Sequence, residues 1–232
     1  MKPVDKGTRV ESISNYPDAK PELLNRIGLQ CSYCEEAGSP QTLHVEHIYP
    51  KKPHPKLKLE WDNFLISCTT CNSYKNIYQG SARQADLEDH HLWPHLDNTY
   101  LAFNYYNDGR IEVHEELDAN IAQLAEATIG MVGLMKRPGQ ANDYSADIAY
   151  DGMSKRSESW EIAEEIRTAY LISEGSQSAE SLARIATKMG HFSIWMEVFR
   201  DHIEVRHELV RAFKADPTCF DNNTDPVTKG RL

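Results

Sequence analysis

Four of the five cysteines fall into two pairs, Cys31-x-x-Cys34 and Cys68-x-x-Cys71, with 33 residues between them. Each short loop can aim two sulfurs at one tetrahedral ion. In a reducing compartment the pattern therefore reads as a structural Zn2+ site that forces two distant stretches of chain to meet. Buried free thiols, or disulfides in a secreted protein, are the alternatives. The opening Met-Lys-Pro-Val-Asp-Lys-Gly has no apolar stretch behind its charges, and no apolar run nears the roughly 18 residues of a membrane span. A cytoplasmic location without membrane contact is expected, where disulfides are rare. Cys219 stands alone in a polar tail and is expected to be a bystander.

Hydrophobic residues make up 40% of the 232 and charged residues 26%, which suits a globular chain and excludes disorder throughout. The net charge of −10 is uneven. Residues 1–80 carry 10 Lys/Arg against 9 Asp/Glu, and residues 81–232 carry 15 against 26. The acidity belongs to the second part, so the overall charge says little about what the first 80 residues touch.

Between the cysteine pairs, Leu43-His44-Val45-Glu46-His47-Ile48 alternates in the manner of a strand, with His44 and Glu46 on one face and His47 opposite. Pro50, Pro53 and Pro55, interleaved with Lys51, Lys52, His54, Lys56 and Lys58, predict an extended basic loop that Trp61-Asp62-Asn63 closes. Phe64-Leu65-Ile66 suits a second strand running into Cys68. The stretch from Thr69 to Asn76 reads as the first turns of a helix that Thr69 or Thr70 can cap.

These pieces, Cys-x-x-Cys, His-Val-Glu-His-Ile-x-Pro-Lys, Trp-Asp-Asn-Phe-Leu and Cys-x-x-Cys-Asn-Ser-x-Lys, resemble in their order the HNH endonuclease family over about residues 28–80. The resemblance implies a ββα-metal nuclease core stapled by zinc. It gives Asn63 the place of the middle Asn, which ties the loop together and orients the general base. It gives Asn72 the place where many members have the final His, and Glu46 the place of a more common Asp.

The chemistry calls for the same residue types. Phosphodiester hydrolysis needs a water deprotonated near neutral pH, a task for a histidine, and His47 is the candidate base. A hard divalent cation, Mg2+ or Mn2+, beside the scissile phosphate would take oxygen ligands, for which Glu46 and Asn72 are the candidates. His44 is either a ligand or phosphate contact or a polar strand residue. Lys51 in the basic loop and Lys75, one helical turn after Asn72, are candidate phosphate contacts, with a solvated lysine as the alternative for each.

Elsewhere, Pro21 to Gly28 reads as a short helix. Tyr100–Tyr105 and Arg110–Val113 flank the hairpin signal Asn107-Asp108-Gly109. Helices are predicted from Asp118 to about Lys136 with a stop at Arg137-Pro138-Gly139, over about 158–173, and over 179–189 and 191–214. A disordered tail is expected after about 217. His90, His91 and His95 lack the spacing of a second metal site. The expected fold is thus α+β, with an HNH core over 1–80 and a hairpin plus mainly helical region over 81–232. That second region is a candidate for docking a partner, through an exposed helix such as 191–214, with ordinary packing against the rest of the chain as the stronger alternative.

The opening segment, Arg26-Ile27-Gly28 before the first cysteine pair, and Asn98-Thr99-Tyr100-Leu101-Ala102-Phe103 also resemble the nuclease subunits of Septu-type and certain retron-linked anti-phage systems. That resemblance implies antiviral defence by cleavage of DNA or RNA, with an ABC-type ATPase as partner. The competing readings are a zinc-knuckle module that binds nucleic acid or protein without catalysis, and an adaptor whose acidic helices are the functional part.

Overall fold

A computed structural model describes residues 1–9, 11–81, 90–135, 152–172 and 178–232. The sequence between the cysteine pairs folds as its periodicity predicts. Strand β1 (Leu43–His47) pairs antiparallel with β2 (Phe64–Cys68), in a register that sets Leu43 opposite Cys68, Val45 opposite Ile66 and His47 opposite Phe64. Helix α2 (Thr69–Ser81) leaves the end of β2 directly and packs back on both strands. Helix α1 (Lys20–Ile27), with Pro21 in its first turn, covers β2 through Leu23, Leu24 and Ile27. β2 is therefore buried on both faces: Phe64, Leu65, Ile66 and Ser67 are all inaccessible.

The hairpin is present as β3 (Phe103–Tyr105) and β4 (Ile111–Val113). Its turn needs Gly109, whose φ of +80° lies in the left-handed region. A Cβ there would also sit 2.0 Å from the Met153 carbonyl oxygen. Helix α3 (Ala119–Val132) is capped by Asp118, whose Oδ1 accepts from the Asn120 and Ile121 amides. It ends at Gly133, before the expected Lys136, and the Arg137-Pro138-Gly139 stop lies outside the described residues. Helix α4 (Gly152–Ile172) starts earlier than its apolar spacing suggested, because Met153, Arg156 and Ser159 are also buried.

Among the described residues two apolar cores result. One holds the strands, α1, α3, Trp93 and Phe103; the other gathers α4, α5 (Ala179–Met189), α6 (Phe192–Val198) and α7 (Ile203–Ala212) around Trp195, Phe199 and Phe213. The first core does not stop at residue 80, since Leu92, Met131 and Val132 belong to it. The cores are joined at Glu35, whose carboxylate accepts from the Ser193 amide (2.8 Å) and hydroxyl (2.6 Å). The Glu35 carbonyl accepts from the His191 amide.

Three expectations are corrected here. The stretch 191–214 is two helices, broken between Phe199 and His202. Nearly every side chain of α6 is buried, so α6 cannot serve as an exposed docking helix. The chain after 217 is ordered. Asn98 Nδ2 donates to the Cys219 and Val227 carbonyls, and Arg231 binds the buried Asp97 carboxylate at 2.7 Å. Cys219 is fully buried within the second core rather than exposed in a tail. Its polar neighbours hide this from composition, because they satisfy buried backbone instead of facing water.

Candidate active site and zinc centre

Cys31, Cys34, Cys68 and Cys71 come together with all four sulfurs within 4.8 Å of one another, and all are free thiols. The Cys34 and Cys68 sulfurs are 3.8 Å apart, matching the edge of about 3.8 Å that bonds of about 2.3 Å make around tetrahedral zinc. The donor set fits Zn2+. Among the described residues no group of three or more other metal-binding side chains converges, and His90, His91 and His95 form none. The knuckle is fixed to the sheet by the Ser32 amide, which donates to the Ile66 carbonyl at 2.8 Å. Cys68 ends β2 and Cys71 precedes Asn72 on α2, so an ion here would hold the helix against the strand.

His47 lies at the end of β1 with its ring edge-on between Tyr16 (centroids 4.9 Å apart) and Phe64 (5.0 Å). Its Nε2 is 3.0 Å from the Lys58 carbonyl oxygen. A carbonyl only accepts, so Nε2 carries the proton and the neutral ring keeps its lone pair on Nδ1. Burial is the largest influence on the ring and lowers its pKa below the ordinary 6.5. The bond to Lys58 opposes this, and the Lys51 charge adds to it. The imidazole is thus neutral at pH 7, as a general base must be.

Residues 49–63, the stretch that supplies the Lys58 carbonyl, are held from within by Asn63. Its Oδ1 accepts from the Tyr49 amide (2.7 Å), and its Nδ2 donates to the carbonyls of Tyr49 (3.1 Å) and Leu57 (2.9 Å). One buried amide thereby closes both ends of a stretch that holds only short 3-10 turns, at Pro55–Leu57 and Trp61–Asn63, instead of running extended. Lys51, Lys52, Lys56 and Lys58 are exposed along it. The Lys51 ammonium sits 4.3 Å from the centre of the Tyr16 ring that packs on His47, so a positive charge stands close to the imidazole.

The opposite strand face holds a different arrangement. Glu46 is 2% exposed and both its oxygens are engaged: Oε2 accepts from the Tyr33 hydroxyl (2.8 Å) and Oε1 meets Lys75 Nζ at 2.6 Å. Lys75, 1% exposed, also donates to the carbonyls of His47 (2.6 Å) and Ile48 (2.8 Å). The expected phosphate contact by Lys75 is corrected by this burial, since all three ammonium hydrogens are used inside the protein. Burial lowers the Lys75 pKa, with Glu46 opposing, and burial also pushes the Tyr33 phenol well above its usual range, keeping it a donor. His44 is exposed, with Nε2 3.3 Å from the Thr69 hydroxyl, and Asn72 is half-buried with Oδ1 accepting from Asn76 Nδ2 at 3.1 Å.

Tested as a divalent-ion site, the pair Glu46 and Asn72 does not fit in this arrangement. Asn72 offers an accessible oxygen, but the Glu46 charge is already neutralised by an ammonium that would repel a second cation. The structure brings His47 and Asn63 into one constellation and seats Glu46 with Lys75 in another. Tyr33, Tyr16 and the Lys58 carbonyl belong to these groups; Tyr33, inside the first cysteine pair, and Lys58, in the basic loop, stood near a sequence signal, whereas Tyr16 did not.

Residues 31–76 match the HNH endonuclease family. The chain therefore carries an HNH nuclease domain, built on the four-cysteine cluster, the paired strands and the start of α2. The chain is also 35% identical over 69 residues to the Septu protein PtuB of Bacillus thuringiensis, a match covering 29% of this chain and 27% of that relative. The matched part is thus about a quarter of the relative's length. No helix among the described residues is long and apolar enough to cross a membrane.

Proposed function

We propose that the protein is an endonuclease that hydrolyses phosphodiester bonds of nucleic acid, with His47 as general base. The observation that carries this is the bond from His47 Nε2 to the Lys58 carbonyl, which leaves the Nδ1 lone pair free on a ring kept neutral by burial. Nδ1 takes a proton from water as the oxygen attacks phosphorus. The bond to the 3′-oxygen breaks, solvent water protonates the leaving alkoxide, and the products are a 5′-phosphate and a 3′-hydroxyl. Asn63 holds the 49–63 stretch that orients the ring, and Lys51, beside Tyr16, is placed to draw in the phosphate backbone.

HNH nucleases are metal-dependent, and Mg2+ or Mn2+ is the proposed catalytic ion, which the pair Glu46 and Asn72 does not hold in the arrangement seen. Zn2+ is the ion suited to the four cysteines, in a structural role. The likeness to a Septu component supports a role in antiviral defence, with an ABC-type ATPase as partner. One observation favours the non-catalytic module instead: Glu46 is closed off by Lys75 and Tyr33.

The experiment is cleavage of plasmid DNA and of total tRNA by the zinc-loaded chain, with Mg2+ or Mn2+, alone and with an ATPase encoded beside it. Metal-dependent cutting under either condition supports nuclease action, and the preferred polymer names its substrate class. Binding to both polymers with no cutting under any condition supports the module.

A further inference from the structure

The opening segment of the chain is absorbed by neither the zinc centre nor the base, yet its Lys6 is buried beside the turn that carries Asn63. Lys6 Nζ donates to three carbonyls, those of Trp61 (3.1 Å), Asp62 (2.6 Å) and Phe64 (3.0 Å). An ammonium has three hydrogens, and all three are spent on the residues flanking Asn63. Burial is the largest influence on Lys6 and brings its pKa down to about 8, with Asp62 and Glu46 opposing, so it remains mainly charged at pH 7. The segment is tied in return: Trp61 Nε1 donates to the Gly7 carbonyl at 2.7 Å, and an Arg26 guanidinium nitrogen donates to the Lys6 carbonyl at 2.7 Å.

The contacts continue without a gap. Lys6 fixes the Trp61–Asn63 turn, Asn63 fixes Tyr49 and Leu57, and the next carbonyl, that of Lys58, receives the His47 Nε2 proton. We propose that Lys6 is a positioning residue for His47, setting the base's tautomer and aim through the Asn63 turn. This rests on the nuclease reading of His47. Lys2 supplies an internal comparison. It is equally buried on the same segment, but donates to the Ile27 and Phe213 carbonyls and to Gln30, none of which lies in residues 49–63.

The test is nitrogen-15 NMR of histidine-labelled, zinc-loaded full chain, with the His47 signals assigned by their loss in His47→Gln, beside cleavage kinetics. In the wild type His47 is expected as the Nε2–H tautomer with a pKa below 6.5. Lys6→Met should give a mixed tautomer and a displaced His47 pKa. Its kcat should fall about ten- to a hundred-fold with KM changed less than about two-fold. Lys2→Met should lower Tm and leave the His47 signals in place. Should Lys6→Met fail to fold, Lys6→Gln, too short to reach all three carbonyls, must show the displaced pKa. A folded Lys6 variant with wild-type His47 tautomer and pKa overturns the proposal, whatever its activity. A chain that cuts nothing but whose His47 responds to Lys6→Met keeps the positioning link and loses only the nuclease reading.

Discussion

The His47 Nε2 to Lys58 carbonyl contact of 3.0 Å joins a strand end to the far side of a basic loop, and it settles which ring nitrogen is free. Because burial holds the ring below its ordinary pKa of 6.5, the base form already dominates at neutral pH. Cleavage should rise through an acid limb whose midpoint lies below 6.5 and stay level from there to pH 8. A pH–rate profile of kcat/KM checks this, and a midpoint above 6.5 contradicts the buried, neutral base.

Asn63 makes three buried hydrogen bonds, and Asn63→Asp keeps the acceptor for the Tyr49 amide while turning an oxygen toward two carbonyls. The cost expected is about 2–4 kcal/mol, from lost bonds and unpaired groups. Activity should fall further than stability, since the stretch that orients His47 loosens. Urea unfolding and cleavage rates measured on the same samples separate the two.

Lys75→Met leaves the Glu46 carboxylate buried against Tyr33 alone and should destabilise the chain by about 3–5 kcal/mol. Adding Glu46→Gln should recover much of that loss, because the stranded charge is gone. A double variant no more stable than Lys75→Met contradicts a tightly coupled pair. Denaturant midpoints of the four proteins complete the cycle.

Chelating the ion from the four cysteines, or Cys71→Ser, should unfold the region around β2 and α2 and abolish cutting, because binding free energy at such a site is folding free energy. Zinc content and circular dichroism before and after chelation check this. A chelated chain that keeps its helix signal and its activity contradicts the role.

His191 is buried with Nδ1 2.7 Å from the Ser159 hydroxyl, and burial lowers its pKa from 6.5 to about 4, with Glu35 opposing. The unfolded chain therefore binds a proton at this site between pH 6.5 and 4 that the folded chain refuses. Stability should be full above 6.5 and fall on acidification by up to about 3 kcal/mol from this group. His191→Asn, which tolerates the residue's φ of +56°, should flatten part of that acid slope in thermal unfolding.

Much of the nuclease core was legible because its signals are local. Cysteine spacing picks out the four-sulfur cluster, alternation names β1, and Asn63 stands where it bonds to Tyr49 and Leu57. Alternation also put Glu46 on the face opposite His47, but period two does not say what covers a face. Here α2 returns over the strand, so Lys75 is drawn into the protein instead of outward to a phosphate. The apolar spacing of 191–214 continued across the break at Phe199 because α6 is buried all round. The polar tail looked unfolded because its partners, Asp97 and Asn98, lie more than a hundred residues away.

The most direct measurement is single-turnover cleavage of plasmid DNA and tRNA by zinc-loaded wild type and His47→Ala at equal zinc content, with Mg2+ or Mn2+, alone and with the proposed ATPase partner. Cutting by the wild type that falls at least about a hundred-fold in His47→Ala, at unchanged Tm, is the predicted result. Equal cutting by the two proteins would contradict His47 as the base and, with it, the function proposed for this site.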